Sequence, residues 1–115
     1  MVILISDDNF EFSSTVAEIV QSFNYETHSV FTPEDTIAYI DKFHKKIGAI
    51  LLDIEFGPDT NLNGIDVLEH CRKNHPFIPV IMVTGKGTIE TAVKATKLGA
   101  INFVEKSIVS KETLQ

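Results

Sequence analysis

Five residues with chemistry to offer stand at the ends of short apolar runs in this chain. Asp7 and Asp8 follow Val2 to Ser6, and Asp53 closes Ala49-Ile50-Leu51-Leu52-Asp53. Thr84 follows Val80 to Val83, and Lys106 comes just after Ile101 to Val104. Three carboxylates brought to one place repel one another, and a hard divalent cation offsets that charge best. Mg²⁺ takes a few carboxylates and keeps waters that incoming phosphate oxygens can replace. A carboxylate held there can attack a phosphoryl group and become an aspartyl-phosphate. Phosphoryl transfer asks mainly for positioning and charge neutralisation, so the metal, the Lys106 ammonium and the Thr84 hydroxyl suit the three phosphoryl oxygens.

The elements that would carry these groups follow from the hydrophobic pattern. A short apolar run bounded by polar residues reads as a buried strand of a parallel sheet. Ligand sites in such sheets lie outside the carboxyl ends of the strands, where Asp53 falls. Between the runs, apolar residues recur at helical spacing, the mark of βα units. Phe12, Val16, Ile19, Val20 and Phe23 form one helical face, with Asn24 as its stop. Tyr25 to Phe31 reads as a second, edge strand. Thr32 and Pro33 open the next helix as cap and first residue, Ile37, Ile40 and Phe43 form its stripe, and Lys45-Lys46-Ile47-Gly48 closes it. A polar loop from Ile54 to Asn63 leads to a helix over Gly64 to Lys73, with Ile65, Leu68 and either Cys71 or Val67 inward. Thr88 caps a fourth helix carrying Ile89, Ala92, Val93 and Thr96, with Lys94 and Lys97 outward and Gly99 at its end. Ser110 to Thr113 looks like a further first turn, and a helix needs about three turns to cover a sheet face. The expectation is a doubly wound α/β domain over residues 1–115 with five strands and a fifth helix cut short, a fragment with more protein following.

Composition narrows the function classes. With 115 residues and 43% apolar content, the chain is long enough for one core and too apolar to be disordered. A net charge of −6 argues against direct nucleic-acid binding by this segment. A single cysteine, Cys71, excludes an internal disulfide and fits a reducing compartment. No apolar run reaches membrane-spanning length and the N-terminus lacks a signal-peptide pattern, so a cytoplasmic location without membrane attachment is expected. His28, His44, His70 and His75 show no metal-ligand spacing and read as surface residues. Gly85-Lys86-Gly87-Thr88 does not match a phosphate-binding nucleotide loop.

Taken together, Asp7-Asp8, Asp53, Thr84 in Val-Thr-Gly-Lys-Gly, and Lys106 resemble the residue set of a response-regulator receiver domain of two-component signalling, over the whole chain up to the last helix. The stretch from Thr88 to Ala100 is similar to receivers of nitrogen-regulation-type transcriptional activators, which join this domain to ATPase and DNA-binding modules. The resemblance implies a flavodoxin-like sheet of order 2-1-3-4-5. It makes Asp53 the acceptor of phosphate from a partner sensor histidine kinase, with Mg²⁺ held by Asp7, Asp8, Asp53 and the main-chain carbonyl of Glu55. Thr84 and Lys106 would bind the phosphoryl group, and Phe103 would be the aromatic that swings inward on activation. Output would pass through the face of the fourth helix and fifth strand, which is also the implied homodimer surface.

This chain departs from the family in two places. It has Lys106-Ser107 where receivers carry Lys-Pro with a cis bond, which puts the reach of Lys106 at issue. The loop after Asp53 is longer than usual, and Phe56 to Asn61 is expected to project over the rim of the site, shaping partner choice or phosphoryl lifetime. Glu55 and Lys86 occupy positions that tune hydrolysis and could pair across the pocket mouth. Two other functions compete: a phosphatase with an aspartyl nucleophile, which would need late acidic metal ligands that the chain lacks, and a degenerate receiver that signals by contact alone.

Overall fold

The computed structural model describes residues 1–56, 62–85 and 89–106. Apolar runs rich in β-branched residues form the inner strands β1 (Val2–Ser6), β3 (Ile47–Asp53) and β4 (Val80–Thr84), and the more polar segments Glu26–Val30 and Asn102–Glu105 form β2 and β5. Between them lie α1 (Phe10–Gln21), α2 (Pro33–Phe43), α3 (Gly64–Asn74) and α4 (Ile89–Lys97). All strand pairs are parallel and the sheet order is β2-β1-β3-β4-β5, so β2 is an edge strand as expected. The projected fifth helix falls outside the described residues. No helix among those described is long and apolar enough to cross a membrane.

Side chains alternate across the sheet, and each face has its own core. Leu4, Ile50, Leu52, Val80 and Met82 point to one side, where Ile40 of α2, Val67, Leu68 and Cys71 of α3 and Ala95 of α4 cover them. Ile5, Leu51 and Val83 point to the other, against Val16 and Val20 of α1. The starts of α1, α2 and α3 are capped by side chains that satisfy free N–H groups. Asn9 Oδ1 accepts from Phe12 N at 2.9 Å, Thr32 Oγ1 accepts from Asp35 N at 3.0 Å, and Asn63 and Asp66 form a reciprocal capping box on α3. Asn24 (φ 69°) and Gly99 (φ 103°) adopt the left-handed turn that takes the chain out of α1 and α4.

Several expectations need correction. Ile47 and Gly48 begin β3 rather than closing α2, because the strand extends two residues further back than its purely apolar run. Among the described side chains of α4 the buried one is Ala95 (0% exposed), whereas Val93 is 47% exposed and the exposed Thr96 returns its hydroxyl to the Ala92 carbonyl at 2.8 Å. Ala95 packs with the larger core, and its small side chain lets α4 lie close to the sheet. The side chain of Ile89 and the cap Thr88 lie outside the described set. Phe56 is half-buried and packs against the larger core rather than projecting, and the rest of that loop, 57–61, lies outside the described residues. The histidines are not isolated on the surface: His70 and His75, both partly buried, each place Nε2 2.8 Å from Asp41 Oδ1. The hydrogen bonds from His70 and His75 hold the Asp41 carboxyl below its usual pKa.

One glycine ties the fold to the end of β3. Gly64 N donates to the Ile54 carbonyl at 2.8 Å, and a Cβ on Gly64 would lie 1.8 Å from the Asp53 carbonyl oxygen and 2.7 Å from Ile54 Cα. Backbone cannot yield as a flexible side chain can. Gly64→Ala should therefore lower the unfolding free energy by about 3 kcal/mol in urea titrations; a loss under about 0.5 kcal/mol would show that the approach is not tight.

Candidate functional site

The register of the sheet brings the acidic residues together. Ser6 on β1 lies opposite Leu52 on β3, so the next residues, Asp7 and Asp53, stand level at the carboxyl edge. Asp7 is 2% exposed and Asp53 4%, while Asp8 is exposed. Carboxylate oxygens of all three lie within 4.8 Å of one another. On the other side of β3, Asp53 pairs with Val83, which places Thr84, 2% exposed, one step further along β4. Thr84 in turn lies opposite Glu105, so Lys106 leaves β5 at the same edge.

Lys106 reaches the acids despite the serine that follows it. Its Nζ is 2.7 Å from Asp7 Oδ2 and 3.5 Å from Asp53 Oδ2, and it sits 4.8 Å from the centre of the Phe12 ring. Burial alone would depress the ammonium pKa, but the close carboxylate of Asp7 and the charge of Asp53 outweigh it and raise it. Asp7 Oδ1 accepts from Asn9 N at 2.8 Å. Its Oδ2 is buried with no well-aligned hydrogen-bond donor, although the lysine charge is close. Among the described residues, Asp53 Oδ1 accepts one long bond, from Glu55 N at 3.4 Å. The pocket floor is apolar, made by Ile5, Leu51 and Val83, with Phe12 and Val16 beside it. Desolvation there, followed by the charge of Asp7, pushes Asp53 from 3.8 up to about 7, against the opposing pull of Lys106.

A divalent cation fits this donor set. An unaligned buried carboxylate oxygen, an acid held partly neutral by its surroundings and an exposed third carboxylate are what a hard cation would satisfy. Of the remaining candidates, Phe103 is half-buried and packs against the larger core, opposite Met82. Glu55 is exposed, and Lys86 lies outside the described residues, as does Ser107. Two contributors escaped the sequence reading: Asn9, which both caps α1 and binds Asp7, and Phe12, whose ring faces Lys106. Asn9 carried a usable signal, since Asn just before a helical period is an N-cap type. Phe12 did not, because a core aromatic and a pocket wall look alike in sequence.

The family model described as the response regulator receiver domain matches residues 3–115. The chain belongs to this family. It is 36% identical over 104 residues to the nitrogen assimilation regulatory protein NtrX of Azorhizobium caulinodans, covering 90% of this chain and 22% of that protein. The receiver domain thus spans about a fifth of the length of the curated relatives it matches. Among solved structures, the receiver domain of NtrX from Brucella abortus superposes with TM-score 0.87 at 34% identity, over 97% of this chain and 90% of that one. A Burkholderia pseudomallei response regulator with a phosphorylated aspartic acid, a calcium ion and citrate superposes with TM-score 0.86 at 25% identity, over 98% of this chain and 63% of that one. The five parallel strands in order 2-1-3-4-5 with flanking helices are those of this fold.

The raised Asp53 pKa has a sign that can be checked without phosphate. A carboxyl whose folded pKa lies above its unfolded value contributes stability fully present at low pH and lost as pH rises, here between about 4 and 7. In metal-free buffer above pH 7, Asp53→Asn should therefore be more stable than wild type, by at most about 4 kcal/mol, with the gap closing towards pH 4. Parallel urea titrations of the two proteins measure it. An asparagine variant less stable than wild type at high pH would contradict the assignment.

Proposed function

We propose that this receiver domain accepts a phosphoryl group on Asp53 and switches the output of attached effector modules. The observation that carries the reading is the placement of Lys106 Nζ between the buried carboxylates of Asp7 and Asp53. In this reading the Asp53 carboxylate attacks phosphorus, an acyl-phosphate P–O bond forms, and the P–N bond to the donor histidine of a sensor kinase breaks. Asp7, Asp8, Asp53 and the Glu55 carbonyl would hold Mg²⁺, whose contribution is to neutralise charge on the acids and the phosphoryl oxygens. Lys106 offers an ammonium and Thr84 a hydroxyl to the same oxygens. The floor of Ile5, Leu51 and Val83 limits water on the inner side.

Signalling follows from the charge added. A phosphoryl group brings roughly two negative charges and strong acceptor oxygens. Lys106, now bound to Asp7, would be shared with it, and Thr84 would be drawn towards it, with Phe103 turning further inward. That shifts the population between two arrangements of the α4–β5 face, which would serve as the output and homodimer surface. The chain spans 22% of the NtrX it resembles, and NtrX from Brucella abortus is solved in complex with ADP and with ATP, which supports a longer protein with a nucleotide-binding module. In this reading that module is an ATPase, a DNA-binding module accompanies it and the protein works in the cytoplasm. Glu55 and Lys86 would tune how long the phosphoryl group survives.

Incubation with acetyl phosphate and Mg²⁺, followed by intact mass, tests the proposal. Wild type should gain one phosphoryl group, Asp53→Asn none, and chelation of Mg²⁺ should abolish the gain. Lys106→Ala should slow adduct formation by about a hundredfold. A full adduct on Asp53→Asn would misplace the acceptor, and sustained turnover of phosphate esters would replace the switch by a phosphatase.

A further inference from the structure

A second cluster of metal-binding side chains stands at the opposite edge of the sheet from Asp53. Asp41 lies in the last turn of α2, His70 lies in α3, and His75 caps the C-terminal end of α3. Helices of βα units run back against their strands, so these helix ends sit beside the starts of β3 and β4, away from the phosphoryl edge. Asp41 Oδ1 is 2.8 Å from His70 Nε2 and 2.8 Å from His75 Nε2, and the three ligand atoms all lie within 4.8 Å of one another. The side chains are 48%, 27% and 13% exposed for Asp41, His70 and His75, so the cluster is walled on one side and open on the other. His44 stacks on the His75 ring at 4.7 Å and restricts its rotation.

We infer that Asp41, His70 and His75 form a binding site for a borderline divalent cation of the Zn²⁺ class, which clamps the end of α2 to α3. Two imidazoles and one carboxylate match the donors that Zn²⁺ takes, with a fourth position left to water. That set differs in kind from the all-oxygen acids around Asp53, which suit Mg²⁺. Bonds of about 2.0–2.1 Å in tetrahedral geometry place ligand atoms about 3.3 Å apart. The present 2.8 Å contacts need to open by about half an ångström, and the exposed Asp41 carboxylate is free to give it. Metal at Nε2 requires a proton on Nδ1 of each ring. Asn74 Nδ2 faces His70 Nδ1 at 3.3 Å and donates to the His70 carbonyl at 3.0 Å, so the amide must turn aside for that proton to reach water. The competing account is a purely hydrogen-bonded tie, in which each Nε2 keeps a proton and donates it to Asp41.

Zinc chloride titrated into the 115-residue chain near neutral pH, with excess Mg²⁺ occupying the acidic pocket, separates the two. Imidazole ¹⁵N signals of His70 and His75 should move together and saturate at one equivalent while His28 stays fixed. The thermal midpoint should rise by about 4 °C or more at saturation, and His70→Gln and His75→Gln should each lose that rise. Unmoved His70 and His75 signals in wild type would overturn the site whatever the variants do. So would an equal rise in midpoint for the double glutamine variant.

Discussion

Two aspartates on neighbouring parallel strands are carried out of water side by side, and much of the remaining structure answers that constraint. With Ser6 opposite Leu52, the register leaves Asp7 and Asp53 no way to avoid each other. Burying one carboxylate is costly, and burying two that repel costs more unless positive charge and donors are supplied. Lys106 supplies the charge, Asn9 a backbone donor to Asp7, and Glu55 a weak one to Asp53. The balance remains incomplete, which is why Asp53 is pushed to about 7 and one oxygen of Asp7 lacks an aligned donor. A pocket left short of positive charge is one that a cation and a phosphoryl group can complete together.

The position of Lys106 also shows what does and does not depend on the residue after it. The family pattern puts proline there, and this chain has serine. Thr84 lies opposite Glu105 on β5, and that pairing alone sets where the next residue leaves the sheet. The long side chain, leaning over the Phe12 ring, spans the remaining distance to Asp7. Strand register, rather than the turn chemistry beyond it, delivers the ammonium.

The scaffold accounts for the precision of the site. β3 is the central strand, and Ile50 and Leu52, on one face of it, are 0% exposed beneath α2 and α3. Its carboxyl end is further pinned where α3 begins, because Gly64 lies against the backbone of Asp53 with no room for a side chain. On the same face, Ser6 donates its hydroxyl to Thr36 at 2.7 Å while Thr36 donates to the Thr32 carbonyl at 2.6 Å, which ties the end of β1 to the first turn of α2. Rigid mounts of this kind hold charged groups in a geometry they would not choose in water.

What the sequence determined by itself was the set of elements and the chemistry at their ends. Apolar runs of strand length, helical spacing between them and caps such as Thr32-Pro33 are local patterns, and local patterns survive in one dimension. That Asp7, Asp53, Thr84 and Lys106 all fall at strand ends was legible for the same reason. Tertiary structure alone decided that Ala95, rather than Val93, faces the core, because both are apolar positions of one short helix and only packing against the sheet selects between them. It alone joined Asp41 to His70 and His75, 29 and 34 residues away, since no periodicity relates residues on different helices. The raised pKa of Asp53 belongs there too: it arises from burial and from a neighbour brought up by strand pairing, and neither exists until the sheet has formed.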